Sequence, residues 1–242
     1  MKLDILAFGV HPDDVELACA GTLMIEAGNG KKVGIIDLTR GELGTRGTAE
    51  TRKKEADIAA EIMGVHVREN LGMRDGFFRN DEEHQLQVIK KIRQYQPEIV
   101  ICNAVEDRHP DHGRSSKLVS DACFYAGLRK IETSFNGTEQ TAWRPKYVFH
   151  YIQDRYLEPD FIFDISSVFD KKLESIKAYT TQFNSEGGSE PQTYISTPTY
   201  FETIIARHRM FGKRIGVEYG EGFMTEKRIG IRSFDAFIQV TT

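Results

Sequence analysis

Four short apolar runs, Ile5 to Val10, Lys32 to Leu38, Val65 to Leu71 and Glu98 to Cys102, alternate with stretches of helical character. Glu16 to Ala27 follows the first run. Ala49 to Met63 follows the second, with Ala56, Ala59, Ala60 and Met63 on one face and Gly64 placed to end it. Asp81 to Tyr95 follows the third and is closed by Pro97, and Ser116 to Gly127 follows the fourth. Short strands alternating with helices imply βαβ units. The expected fold is therefore α/β, a Rossmann-like, mainly parallel sheet with helices on both faces.

The rest of the chain is less regular and is expected to pack on the same domain. A length of 242 residues suits one α/β domain better than two, and no linker or repeat divides residues 1–242. Lys146 to Ile152 and Phe161 to Ile165 read as strands, and Ser166 to Phe183 and Thr199 to Lys213 as helices. Asn136 to Arg144 and Ile215 to Phe223 read as loops, and Asn184 to Gln192, rich in Gly and Ser, as a mobile one.

Ligands of open α/β sheets sit outside the carboxyl ends of strands. The first strand runs into His11-Pro12-Asp13-Asp14, and the fourth leads through Asn103 to Arg108 into His109-Pro110-Asp111-His112. A dinucleotide would need a glycine fingerprint at the first turn, where its phosphate would instead face two carboxylates, so NAD is not expected. Taken singly, each motif has a plain structural reading, with Asp13 or Asp14 as a helix N-cap and Pro110-Asp111 as a turn. Their recurrence at two strand ends argues for one shared site. His11, Asp14 and His112 make a donor set suited to a zinc ion with an open position, where the pKa of bound water falls to about 7. Asp13, next to a ligand, is placed to act as general base. His109 can stabilise an oxyanion, with Asp111 holding its ring and favouring the charged form. The set points to hydrolysis of an amide or ester. The same ligands also suit iron(II), cobalt or manganese.

Bulk properties narrow the partners. A net charge of −4 gives no basic field, so nucleic acid is not an expected partner. No apolar run reaches membrane-spanning length, so no membrane association is expected. Cys19, Cys102 and Cys123 form no CxxC pair and fall in core elements, which predicts reduced, buried thiols and a cytoplasmic location.

The paired motifs resemble those of the LmbE-like, or PIG-L-type, zinc-dependent N-acetylglucosamine deacetylases. Arg40-Gly41-Glu42-Leu43-Gly44-Thr45-Arg46-Gly47, with Glu50 to Ala56 after it, resembles that family's loop and helix following the second strand. The likeness covers most of the chain. Phe161 to Ser166 running into Lys171 to Tyr179 resembles the bacillithiol-pathway members, which remove acetate from N-acetylglucosaminyl malate. The resemblance implies zinc on His11, Asp14 and His112, Asp13 as base, and His109 polarising the carbonyl with Asp111 behind it. It also implies a small acetylated amino sugar as substrate and a homo-oligomer, a trimer or hexamer. The related mycothiol enzymes place a tyrosine two residues before the oxyanion histidine. Asp107 stands there in this chain, so a tyrosine from that position plays no part.

A sugar bearing malate needs carboxylate and guanidinium partners. Arg52 and Asp75 are the first candidates, followed by Glu42, Arg46 and Arg108, all on strand-end loops or the helix start after them. A solvated surface charge is the competing reading for each. Among other polar residues, His150 is expected to pack within its strand, His66, His84 and His208 to be exposed, and Glu16 to support a helix N-terminus. Competing functions are deacetylation of another N-acetylglucosamine conjugate or chitooligosaccharide, and a non-catalytic metal-binding homologue. A metal-dependent phosphoesterase fits less well, since the ligands suffice for one ion rather than a bridged pair.

Overall fold

The computed structural model describes residues 1–183 and 191–237, so most of the Gly- and Ser-rich stretch Asn184 to Gln192 lies outside the described residues. The elements run β1 (Ile5–Gly9), α1 (Asp14–Ala18), α2 (Ala20–Gly28), β2 (Val33–Thr39), α3 (Ala49–Met63), β3 (Val67–Met73), α4 (Glu82–Tyr95), β4 (Ile99–Cys102) and α5 (Pro110–Ala126). A small pair, β5 (Ser134–Phe135) and β6 (Thr138–Glu139), is followed by β7 (Tyr147–Tyr151), β8 (Phe161–Asp164), α6 (Phe169–Lys177), α7 (Thr180–Phe183), α8 (Pro198–Ile215) and β9 (Gly220–Thr225). Among the described residues one seven-stranded sheet is ordered β3-β2-β1-β4-β7-β9-β8. Its first five strands are mutually parallel, and β9 runs antiparallel between β7 and β8. The expected Rossmann-like, mainly parallel sheet is the one that forms.

Alternate side chains of the central strands feed two cores. Leu6, Phe8, Ile36 and Val100 meet Ile89 and Ile92 of α4 and Leu118 and Ala122 of α5 on one face. Ala7, Ile35 and Ile101 meet Ala18, Leu23 and Met24 on the other. Strands covered on both faces read as continuous apolar runs, which is why the sequence signal is clear there. Each fully buried Leu, Ile or Phe contributes about 1.5–3 kcal/mol.

Several elements depart from expectation, each for a physical reason. The stretch expected as one helix from Glu16 to Ala27 is divided at Cys19, because the Glu221 carboxylate accepts from Gly21 N, Thr22 N and Thr22 Oγ1 and caps a fresh N-terminus. Ser166 to Phe183 is likewise divided, with a 3₁₀ turn at Ser166–Val168 ahead of α6. There Glu55 of α3 accepts from Thr180 Oγ1, Thr181 N and Thr181 Oγ1 at the start of α7. Helix α5 begins six residues before the expected Ser116, since Pro110 suits a first helical position and His109 caps it. Gly220–Thr225 is a strand rather than loop. Its glycines hide the pattern but are required: a Cβ on Gly220 would lie 2.6 Å from Ile162 Cγ2, and one on Gly222 3.0 Å from the Phe211 ring.

Two polar residues are also placed differently. His208, expected at the surface, is 1% exposed, and its Nδ1 donates to Ile204 O at 2.6 Å. Glu16 is fully buried, bound by Arg68 and by the Tyr179 hydroxyl at 3.0 Å, and does more than support a helix end. His150 is buried in β7 as expected, between Glu226 and Ser116.

Candidate active site

The two His-Pro-Asp turns meet because β1 and β4 are adjacent parallel strands whose carboxyl ends point the same way. Asp13, in the first turn, adopts φ 128°, a conformation side-chain-bearing residues rarely take and one that costs about 1–3 kcal/mol. Arg52 holds it there: its Nη2 donates to Pro12 O at 2.7 Å and to Asp13 Oδ2 at 2.9 Å, and its Nη1 to Gly41 O at 3.3 Å.

His11 and His112 converge on Asp14. His11 Nδ1 lies 3.7 Å from Asp14 Oδ2, and His112 Nε2 lies 3.2 Å from Asp14 Oδ1. The far nitrogen of each ring faces another carboxylate, His11 Nε2 at 3.0 Å from Asp75 Oδ1 and His112 Nδ1 at 2.6 Å from Asp107 Oδ2. Such outer carboxylates fix the tautomer and orientation of ligating imidazoles. Asp14 is aimed by Val10 N, His11 N, Asn103 Nδ2 and Gln153 Nε2, at 2.8–3.1 Å. Ligand atoms of His11, His109 and His112 lie within 4.8 Å of one another, as do those of His11, Asp75 and Asp111. This crowd of imidazoles and carboxylates has the donors to hold a divalent cation.

The electrostatics follow from burial and pairing. Burial pushes the Asp14 carboxyl up, but His112 and His11 outweigh it and hold it well below the usual range. His112 is pulled down by burial yet raised to about 10 by Asp14 and Asp107. Burial raises Asp13 to about 7, with Arg52 opposing and Asp14 adding to the rise.

His109 caps α5, its Nδ1 accepting from Asp111 N at 3.3 Å, so the ring proton belongs on Nε2. Burial, then His11 and His112, lower its affinity for a second proton. This corrects the expectation for Asp111. Its backbone orients the imidazole, while its carboxylate accepts from Gly76 N at 2.9 Å and Arg114 Nη1 at 2.8 Å and ties α5 to the β3–α4 loop. Asp111 opposes the downward shift of His109 but does not overcome it.

His11, Asp13, Asp14, His109 and His112 line a cleft of about 390 Å³. Of the residues expected to contact substrate, Arg46, Arg52, Asp75 and Arg108 line it and Glu42 does not. Glu42 is exposed and accepts from Asp75 N at 2.9 Å. Arg52 and Asp75 are engaged with Asp13 and His11, which makes them supports of the centre as well as cleft walls. Arg46 is buried and donates to Thr181 O, and Arg108 pairs with Asp154 and stacks on Tyr194. Sequence reasoning missed Asn103, Asp107, Gln153, Tyr194 and Tyr200. The first three lie in the segments just past the ends of β4 and β7, the same signal that located the motifs. The two tyrosines come from distant chain and carried no local signal.

Residues 6–123 match the family model described as PIG-L: GlcNAc-PI de-N-acetylase. A conserved protein of Thermus thermophilus of known structure is similar with a TM-score of 0.84 and 35% identity, over 95% of this chain and 97% of that one. Diacetylchitobiose deacetylase of Thermococcus kodakarensis is 26% identical over 90% of this chain and 81% of its own. A 4-oxalmesaconate hydratase of Pseudomonas putida is 27% identical over 73% of each chain. A probable N-acetyl-alpha-D-glucosaminyl L-malate deacetylase 2 of Bacillus anthracis is 26% identical over 72% of this chain and 78% of its own.

Proposed function

Since this chain belongs to the PIG-L, or LmbE-like, family, we propose that it is a zinc-dependent N-deacetylase acting on N-acetylglucosaminyl L-malate in bacillithiol biosynthesis. The observation that carries the reading is the convergence of His11 and His112 on Asp14 in a cleft that Asp13 and His109 also line. His11, Asp14 and His112 are the residues that would hold the ion, and the carboxylates of Asp75 and Asp107 behind the two imidazoles fit that role. A divalent ion there supplies Lewis-acid polarisation and a nucleophile at neutral pH.

The rest of the chemistry belongs to the chain's own side chains. Asp13, poised near neutrality and held by Arg52, takes a proton from water and returns it to the departing amine. His109 keeps its Nδ1 committed to Asp111 N, so Nε2–H is the donor to the developing oxyanion, acting as a neutral imidazole. Gln153 and Asn103 hold Asp14 still while this happens. Arg46 and Arg108 on the cleft wall supply positive charge for the malate carboxylates. The buried free thiols Cys19, Cys102 and Cys123 support a reducing, cytoplasmic setting. No helix among the described residues is long and apolar enough to cross a membrane. A trimer or hexamer is the assembly we expect, to be read by sedimentation velocity.

The test is acetate and amine release by metal-stripped protein, with and without zinc, from N-acetylglucosaminyl malate, diacetylchitobiose and N-acetylglucosamine. Zinc-restored release that is fastest on the malate conjugate is the expected result. Preference for diacetylchitobiose would move the substrate to chitooligosaccharides. A chain that releases no acetate from any of them would not be an amino-sugar deacetylase, and the hydratase relative would then guide the search. Asp13→Asn is expected to lower kcat by about 10²–10⁴-fold while zinc stays bound. An unchanged rate would remove Asp13 from the role of base.

A further inference from the structure

His150 sits in β7 at the register position beside Cys102 of β4, and its side chain is 4% exposed. A neutral imidazole offers one donor and one acceptor. The partners here do not suit that. Nε2 lies 2.9 Å from Oε1 of Glu226, the residue just past β9. Nδ1 lies 3.0 Å from Asn103 O, with Ser116 Oγ at 2.9 Å and Cys102 Sγ at 3.3 Å. An ionised carboxylate and a carbonyl only accept, so a bare nitrogen on either side would set lone pair against lone pair. Both nitrogens therefore donate, and the ring is an imidazolium. Burial pulls its pKa down, but Cys102, Glu226 and the Asn103 carbonyl carry it up to about 11. His150 in turn holds the Glu226 carboxyl below its usual range, with Ser120 and Lys117 of α5 adding to the effect.

Two contacts of this cation lead to parts that carry the candidate metal centre. Asn103 is 0% exposed, and while its carbonyl accepts from His150 its side chain serves Asp14. Nδ2 donates to Asp14 Oδ2 at 3.1 Å, and Oδ1 accepts from Ser115 Oγ at 2.9 Å. Ser116 stands one turn beyond His112 on α5. The ring thus ties the end of β4 to the start of α5, and none of its four partners is itself a ligand. Its counter-ion reaches solvent, since the Glu226 side chain is 41% exposed.

We propose that His150, kept as an imidazolium by Glu226, is a positioning residue that fixes the Asn103 main chain and the first turns of α5, and through them the ligands Asp14 and His112. Metal affinity is thereby linked to a carboxylate at the protein surface. This rests on the metal-centre reading above. Removing the ring leaves the buried Asn103 carbonyl without its charged donor and frees the Asn103 amide to drift from Asp14.

Nitrogen NMR of histidine-labelled protein tests the charge. Zinc competition with a chromogenic chelator, and the visible bands of cobalt-substituted protein, test the positioning. At about pH 8, where an ordinary histidine is neutral, the His150 ring is expected to carry a proton on both nitrogens. His150→Gln is expected to weaken zinc about ten-fold and to shift the cobalt bands. Val88→Ala, a truncation in the α4 core, is expected to lower the melting temperature while leaving both metal readouts unchanged. Glu226→Gln is expected to let the ring lose one proton by about pH 8 and to weaken zinc in the same direction, and it decides the matter if His150→Gln does not fold. A neutral ring in wild-type protein, or wild-type zinc affinity and cobalt bands in these two variants, would overturn the proposal. Equal metal effects from Val88→Ala would overturn it by reducing His150 to a stability role. A wild-type protein that binds neither zinc nor cobalt overturns the metal-centre reading, while its NMR still reports the charge of the ring, so the two failures are distinguishable.

Discussion

Asp107 shows how a single carboxylate tunes the candidate centre. One oxygen faces His112 Nδ1 at 2.6 Å, and the other accepts from Arg155 N at 2.7 Å and Asp154 N at 3.2 Å. It requires a proton on Nδ1 and so leaves Nε2 free toward Asp14. Asp107→Asn keeps the volume but turns an N–H toward the ring, which favours the wrong tautomer. We expect zinc affinity to fall about 10–100-fold, read by competition with a chromogenic chelator. Unchanged affinity would mean that the tautomer is set elsewhere. At this scale the sequence was legible where residues cluster. His11, Asp13, Asp14, His109 and His112 could be named because each motif sits at a strand end. Arg52 and Asp75 could be named but not placed. Whether a charge reaches solvent, substrate or a neighbouring side chain depends on distances that chain order does not hold. The Asp111 carboxylate keeps its expected upward pull on His109, but for the same reason its hydrogen bonds go to Gly76 N and Arg114. A residue two positions from His109 reached it through its backbone N–H instead.

At the scale of elements, the departures share a cause. Both helix divisions occur where a carboxylate from far along the chain caps a new N-terminus, Glu221 for α2 and Glu55 for α7. Helical periodicity continues through such points because it reports only which face is apolar. Glu221 is also paired with Lys172 at 2.7 Å, both side chains 0% exposed, and Lys172 donates to Glu16 O at 2.9 Å. Lys172→Met would strand the buried carboxylate. We expect a loss of about 3–5 kcal/mol in urea unfolding, part of it recovered in the double variant Lys172→Met with Glu221→Gln. Full additivity of the two single losses would show that the pair is not coupled. Strand β9 was hidden because Gly220 and Gly222 lower its strand propensity, and they are there to admit Phe211 and Ile162.

Taken whole, the protein is a sheet whose carboxyl edge gathers charge against its own stability. Asp13, Asp14, Asp75, Asp107 and Asp111 are all buried there with His11 and His112. An ion binding only the folded state offsets this, so chelation should lower the melting temperature and zinc should restore it. A Kd one thousandth of the free zinc concentration corresponds to about 4 kcal/mol. A melting temperature indifferent to chelator and zinc would argue against a resident ion. The alternation of apolar runs and helices by itself determined the parallel βαβ half, since strands buried on both faces must be continuously apolar. It also determined that the two His-Pro-Asp turns would follow strands of that sheet. The tertiary structure alone decided which carboxylate backs which imidazole, where long helices break, and that Tyr200 from α8 closes a cleft begun by β1. Those are contacts between residues up to 200 positions apart, and their physics is distance and burial, which a linear pattern does not encode.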